Sequence, residues 1–335
     1  MRIPNIELGN ISRYRAEQMG AAMLFVILFH VALDRGDPFY GLRRCGNVGV
    51  DIFLFLSGVG LWFAWTKTPA PSVAHFYRRR LLRILPTWLV CSTAFYLPDY
   101  LGPRRFSSSL SDLIGDITVN WDFWIHDELT FWYIPATLML YLWAPWFMRL
   151  VMRNRWWSLL PVLMMAWCVA VQYLPPVHQA VGHIEIFWSR VPIFFIGIVA
   201  GQWVKEQYAL PRAALPVVAV TALLTLALCI ALEQTAHGRF PIFLERMLYI
   251  PLTLATTLWL CHYLHCLPQR VAAALTFVGG ISLEIYLLHC HFILKYIEPL
   301  ALGYWPTALL CLAITIPLAW LIHQLLNVVI KLLRL

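Results

Sequence analysis

About ten runs of roughly 17 to 25 predominantly apolar residues follow one another along this chain, parted by short charged or Pro/Gly-rich breaks. A run of that length crosses a bilayer as a helix, because in hydrocarbon every backbone N–H and C=O must find its partner within the segment. The runs cover Ala16 to Leu33, Val48 to Thr66, Leu81 to Leu97, Phe131 to Phe147, Trp156 to Leu174, Phe187 to Val204, Leu215 to Leu232, Met247 to Leu264, Leu275 to Ile297 and Trp305 to Leu333. The expected fold is all-α: a polytopic membrane helical bundle of about ten transmembrane helices, making one transmembrane domain over residues 1–335. Hydrophobic residues at 61%, charged residues at 13% and a mean hydropathy of +0.69 exclude a water-soluble domain of this length.

The N-terminus is polar and leads into a full-length run without a small-residue cleavage site, so the first span is expected to be retained. The longest connection, Pro98 to Thr130, carries a serine run, acidic residues and Trp121, Phe123 and Trp124, and leaves room for a short interfacial helix. With an even number of spans both termini share a side. That side would hold Arg2, Arg13, Arg15, Lys67, Arg78, Arg79, Arg80, Arg83, Arg149, Arg153, Arg155, Lys205, Arg212, Arg270, Lys331 and Arg334, sixteen of the 25 Lys and Arg residues. Cytoplasmic loops concentrate Lys and Arg, so both termini are expected to be cytoplasmic. The formal charge of +8 and pI near 9.2 then describe topology and a lipid partner, and the dispersed basic residues suggest no nucleic-acid partner.

Ionisable groups kept inside apolar runs point by default to a working site, because an unpaired polar group costs several kcal/mol there. His30 lies about 5 Å inside the outer end of the first run, at ~1.5 Å per residue. Asp51, across the short Asp34 to Asn47 hairpin, falls at comparable depth. A carboxylate beside an imidazole fixes its tautomer and stabilises the imidazolium, so His30 with Asp51 makes a candidate general base. The plainer alternative is a histidine that only bonds spans together.

On the other face, Arg78, Arg79, Arg80 and Arg83 open the third run. Arg80 and Arg83 stand three apart on one helix face and could present two planar forks to phosphate, or serve only to orient the chain. Arg15 lies fifteen residues before His30, about 22 Å along the same helix. Ser282, Tyr286 and His289 recur at i, i+4 and i+7 as a polar stripe that must face the bundle, for a substrate or as interhelical glue. Trp132 and Arg190 begin inward-running spans where a sugar could dock, although an aromatic belt also explains the tryptophan. The eight cysteines form no disulfide framework. Cys261-His262-Tyr263-Leu264-His265-Cys266 lacks the second cluster of a structural zinc site, so no metal is expected.

Taken in order, His30, the Asp51-containing run through Ser57-Gly58, Arg80-x-x-Arg83-Ile-x-Pro86, Trp132-Tyr133-Ile134-Pro135, Arg190-x-Pro192-Ile193-Phe194 and Ser282-x-x-x-Tyr286-Leu287-x-His289 resemble the integral-membrane acyltransferase-3 family of bacterial O-acyltransferases. The resemblance runs from Arg13 to about His291. It implies His30 as the essential histidine, Arg80 with Arg83 as the family's arginine pair, and Tyr286 with His289 as the late Tyr-Leu-x-His. The family's arginine eleven residues before the histidine falls here on Met19, with Arg15 the nearest substitute. Acyl transfer from acetyl-CoA, or another acyl-CoA, to a hydroxyl of an extracytoplasmic glycan is therefore expected, in the bacterial inner (cytoplasmic) membrane. On that reading Arg80, Arg83, Arg79 and Arg15 hold the donor's phosphates. Tyr286, His289, Ser282, Arg190 and Trp132 contact the acceptor. A secondary transporter or flippase using the same buried polar groups is the competing class, and a non-catalytic scaffold a third.

Overall fold

The computed structural model describes residues 5–69, 71–126 and 128–332. Arg2, Arg334 and Leu333, which enter the charge count and the tenth run, lie outside the described residues. Helices dominate. A two-residue antiparallel pair, β1 (Ile6–Glu7) and β2 (Ala209–Leu210), sets Ile6 opposite Leu210.

In chain order the helices used below are α1 (Arg15–His30), α2 (Val48–Trp65), α3 (Val73–Leu101), α4 (Leu110–Val119), α5 (Trp121–Ile125), α6 (Tyr133–Arg153), α7 (Leu160–Tyr173), α8 (Val191–Lys205), α9 (Ala214–Ala236), α10 (Ile242–Tyr263), α11 (Gln269–Gly280), α12 (Ser282–Leu288) and α13 (Tyr304–Leu332). Every one of the ten expected apolar runs carries helix. Among the described residues, seven helices are long and apolar enough to cross a membrane, or nine if two bent pairs each count as one span.

Three runs differ from the expectation of ten uniform spans. Helix α1 has only 16 residues and ends where Val31 turns extended, which leaves it just short of a spanning length. The sixth run bends by 44° between Pro175–Trp188 and Val191–Lys205. Pro192, in the first turn of α8, lacks the N–H that would continue the preceding helix. The ninth run breaks at Ile281, after the Gly279-Gly280 pair. Glycine is a poor helix former, and the Ser282 hydroxyl there donates to the Gly279 carbonyl at 2.9 Å.

The third run is longer than expected. Helix α3 begins at Val73, where the Ser72 hydroxyl accepts the His75 N–H, and continues for 29 residues. At ~1.5 Å per residue that is about 43 Å, against a hydrocarbon core of ~30 Å. Its arginines therefore sit on the helix itself, in the turns left over at its beginning.

The chain forms two compact units, Met1–Pro69 with Trp146–Ser282, and Ala70–Pro145 with Leu283–Leu335. In the first, α2 packs against α8 and α1 against α2 and α11. The α2–α8 contact is backbone on backbone: a Cβ on Gly58 would lie 2.3 Å from the Phe194 oxygen, and one on Gly197 2.2 Å from the Phe55 oxygen. Only glycine permits that approach.

In the second unit the expected interfacial helix is two short helices, α4 and α5. They are divided by Asn120, whose positive φ of 55° ends the first. Ser109 caps α4 by accepting the Asp112 N–H. Polar side chains of α3 fasten them down: Trp88 Nε1 donates to the Thr118 carbonyl and the Ser92 hydroxyl to that of Ile117. The Tyr96 hydroxyl donates to Asn120, whose side-chain amide reaches the Thr130 carbonyl at 2.7 Å.

Candidate functional site

His30 is the last residue of α1. Its Nδ1 lies 2.8 Å from the Val26 carbonyl, one turn back. A carbonyl only accepts, so Nδ1 carries the proton and the neutral ring keeps its lone pair on Nε2. The helix backbone thus fixes the tautomer that a general base needs.

Asp51, expected to form a dyad with His30, is engaged with Arg190. Its carboxylate accepts from Arg190 Nε at 3.1 Å, and both side chains are 1% exposed. Arg190 also donates from Nη2 to Asn47 at 3.0 Å and from Nη1 to the Ile186 carbonyl at 3.1 Å. This guanidinium, expected at an outer surface, is buried and bonded to three acceptors. Asp51 and Arg190 fasten α2 to the start of α8, as Gly58 and Gly197 do further along. In an apolar setting such a pair is tolerated because each charge is hydrogen-bonded as well as neutralised.

The pair belongs to a larger set of ionisable groups, buried or half-buried, that the motifs above do not include. Arg44 Nε donates to Glu233 at 3.2 Å, and His237 contacts the same carboxylate. The Tyr249 hydroxyl donates to Glu245 at 2.8 Å, and Arg246 pairs with Glu245 at 3.4 Å. Arg44, Arg190 and Arg246 face Asp51, Glu233 and Glu245, three cations to three carboxylates. Glu245 and Arg246 at the head of an apolar run were the available signal, since ionisable residues there need partners.

Arg15, the first residue of α1, donates from Nε to the Leu56 carbonyl at 3.1 Å. Its guanidinium packs against Gly60 of α2. It therefore ties α1 to α2 as well as lying about 22 Å along the helix from His30. Ser282 is spent on Gly279, at the break that interrupts the expected stripe.

In the second unit Arg79 and Arg83 are exposed on α3 and Arg80 is half-buried. The Arg80 guanidinium lies over the Phe76 ring at 5.7 Å, and its buried Nε has no acceptor among the described residues. Such a donor favours an anionic ligand. The Tyr286 hydroxyl accepts the Tyr133 N–H at 3.2 Å, which leaves its own proton to donate. His289 is buried, with Nδ1 2.8 Å from the Tyr286 carbonyl and Nε2 3.2 Å from the Cys290 sulfur. From His289 to Leu294 the backbone widens into a π-helical turn, a form found mostly at functional sites. Trp132, expected at a docking surface, is buried, edge-on to Tyr133 and tilted against Phe123. Glu284, inside the late motif, contacts His323 at 2.9 Å and accepts from Thr87.

The fold and these buried polar groups define a multi-pass helical membrane protein. A family model described as an acyltransferase domain, the acyltransferase-3 family, matches residues 20–324. The chain belongs to that family and is a membrane acyltransferase. No curated protein and no solved structure matches it.

Proposed function

We propose that the protein moves an acyl group, acetyl in the first instance, from a cytoplasmic acyl-CoA to a hydroxyl of an extracytoplasmic glycan in the bacterial inner membrane, with both termini cytoplasmic. The observation that carries this reading is the fixed tautomer of His30 at the end of α1, in a chain of acyltransferase-3 membership. His30 Nε2 takes the proton of the acceptor hydroxyl as its oxygen attacks the thioester carbonyl. Collapse of the tetrahedral intermediate expels the CoA thiolate, which recovers a proton from the imidazolium. Arg80, Arg83 and Arg79 hold the donor's phosphates; the Arg80 Nε, which has no acceptor among the described residues, supports their part in this. Arg15 braces α1. Tyr286 supplies a hydroxyl proton to a substrate oxygen, and His289 sets the π-helical turn beside it.

The test is His30→Ala in proteoliposomes given acetyl-CoA and the host's surface glycan, with ester formation read by mass spectrometry. Transfer is expected to fall by about 10²- to 10⁴-fold, the usual worth of a general base. Membrane insertion and acyl-CoA affinity should persist. Near-normal turnover by a correctly inserted variant overturns the mechanism. Solute flux without acyl transfer by the unaltered protein would establish a transporter instead.

A further inference from the structure

The second unit contains a cavity of about 460 Å³ that none of the roles above uses. Its volume falls within the ~300 to 1,000 Å³ typical of small-molecule sites. Aromatic rings supply much of the wall: Phe95, Phe106, Phe292 and Tyr296. Arg105 and Lys295 line it as well and are exposed, so their charges stand at an accessible rim.

The chain builds this wall with some care for position. Asp99, the one carboxylate among the described residues of the lining, accepts the Phe106 N–H at 3.0 Å, and its carbonyl accepts the N–H groups of Gly102 and Arg104. Arg104 takes a positive φ of 51°, unusual for a residue with a Cβ, and its guanidinium returns to the Tyr100 carbonyl and ring. This clasp turns the chain at the end of α3 so that Arg105 and Phe106 enter the cavity. On the opposite side the π-helical turn contributes His291, whose ring lies 4.4 Å from that of Phe131 and 5.2 Å from that of Phe95.

From this we infer a binding site for an anionic sugar unit, a uronic acid or sugar phosphate of the acceptor glycan, with its ring against the aromatic wall and its anion between Arg105 and Lys295. Two cations against one carboxylate that is already hydrogen-bonded leave a positive rim, which selects an anion. Flat aromatic faces suit the C–H surface of a pyranose better than the flexible tail of a simple amphiphile. The sugar-docking role expected of Trp132 and Arg190, both buried, passes to this cavity. The inference deepens the acyltransferase reading by naming its acceptor class, and rests on it only for the word acceptor.

The experiment is isothermal titration of the full chain in phosphatidylcholine nanodiscs with a glucuronic-acid tetrasaccharide, maltotetraose and glycerol 1-phosphate. The acidic tetrasaccharide should bind tightest, with affinity falling steeply as salt is raised. Arg105→Gln and Lys295→Gln should each weaken it by about tenfold or more while leaving maltotetraose unchanged. Tyr296→Ala should weaken both sugars. All three residues are exposed, so matched thermal melting of the variants is expected and serves as the folding control. Equal affinity for acidic and neutral tetrasaccharides, no binding of the acidic one, or full affinity in the Arg105→Gln/Lys295→Gln double variant overturns the inference. Glycerol 1-phosphate binding as tightly as the acidic sugar would also overturn it, in favour of a lipid headgroup. Sugar binding in a protein that transfers no acyl group would leave this site standing and remove only the proposed reaction.

Discussion

Arg190 donates to Asp51 across 3.1 Å from a position 139 residues away in the chain, with both side chains all but sealed from solvent. Removing one partner strands a buried charge, which costs about 3 to 5 kcal/mol, whereas removing both can be nearly neutral. Arg190→Ala and Asp51→Asn should each lower the melting temperature of the detergent-solubilised protein, and Asp51→Leu/Arg190→Met should recover much of the loss. If Asp51→Asn melts like the unaltered protein yet fails in acyl transfer, Asp51 belongs to the chemistry.

The reciprocal contact of Gly58 and Gly197 makes a second, independent prediction for the same helix pair. A methyl group at either site meets a carbonyl oxygen of the facing helix at 2.2 to 2.3 Å. The helices must then separate, at a cost of at least about 1 to 3 kcal/mol. Gly197→Ala should destabilise more than an alanine at Gly280, where nothing lies within 4 Å. Equal melting temperatures for the two variants would remove the close crossing.

For the proposed donor site, Arg80→Ala and Arg83→Ala should each weaken acyl-CoA binding by about tenfold or more, the worth of a charge-assisted bond to phosphate. Lysine should restore only part of it, because it keeps the charge and loses the fork. Equilibrium dialysis with labelled acetyl-CoA measures this directly. Unchanged binding by both alanine variants would leave the cluster a purely topogenic one.

The loop after α3 should respond to pH. Burial, assisted by the nearby Asp116, pushes the Asp122 carboxyl up to about 6. A carboxyl whose folded pKa exceeds its unfolded value of ~3.9 binds its proton more tightly when folded. Its contribution is therefore complete below about pH 4 and is lost as pH rises through 6. Limited proteolysis between α4 and α5 should be slower at pH 5 than at pH 7.5. Asp122→Asn should flatten that difference, and an unchanged pH profile in this variant would assign it to another group.

The apolar runs are a local property, and so the sequence by itself determined the helical membrane class and the family, through motifs read in order. It also marked His30, whose bond to Val26 lies within one turn of its own helix. Partnership across long separations was decided only by tertiary structure. Asp51 matches His30 in depth along adjacent runs, yet its carboxylate is bonded to Arg190, because α2 and α8 meet through Gly58 and Gly197 and carry those two charges into register. The same holds for Arg44 with Glu233 and for His323 with Glu284. Hydropathy shows that such charges must be neutralised but does not say by which residue, since the choice depends on which helices pack. Bends at Ile281 and ahead of Pro192, and the cavity behind Asp99, likewise depend on packing and on single hydrogen bonds that a pattern of apolar residues does not encode.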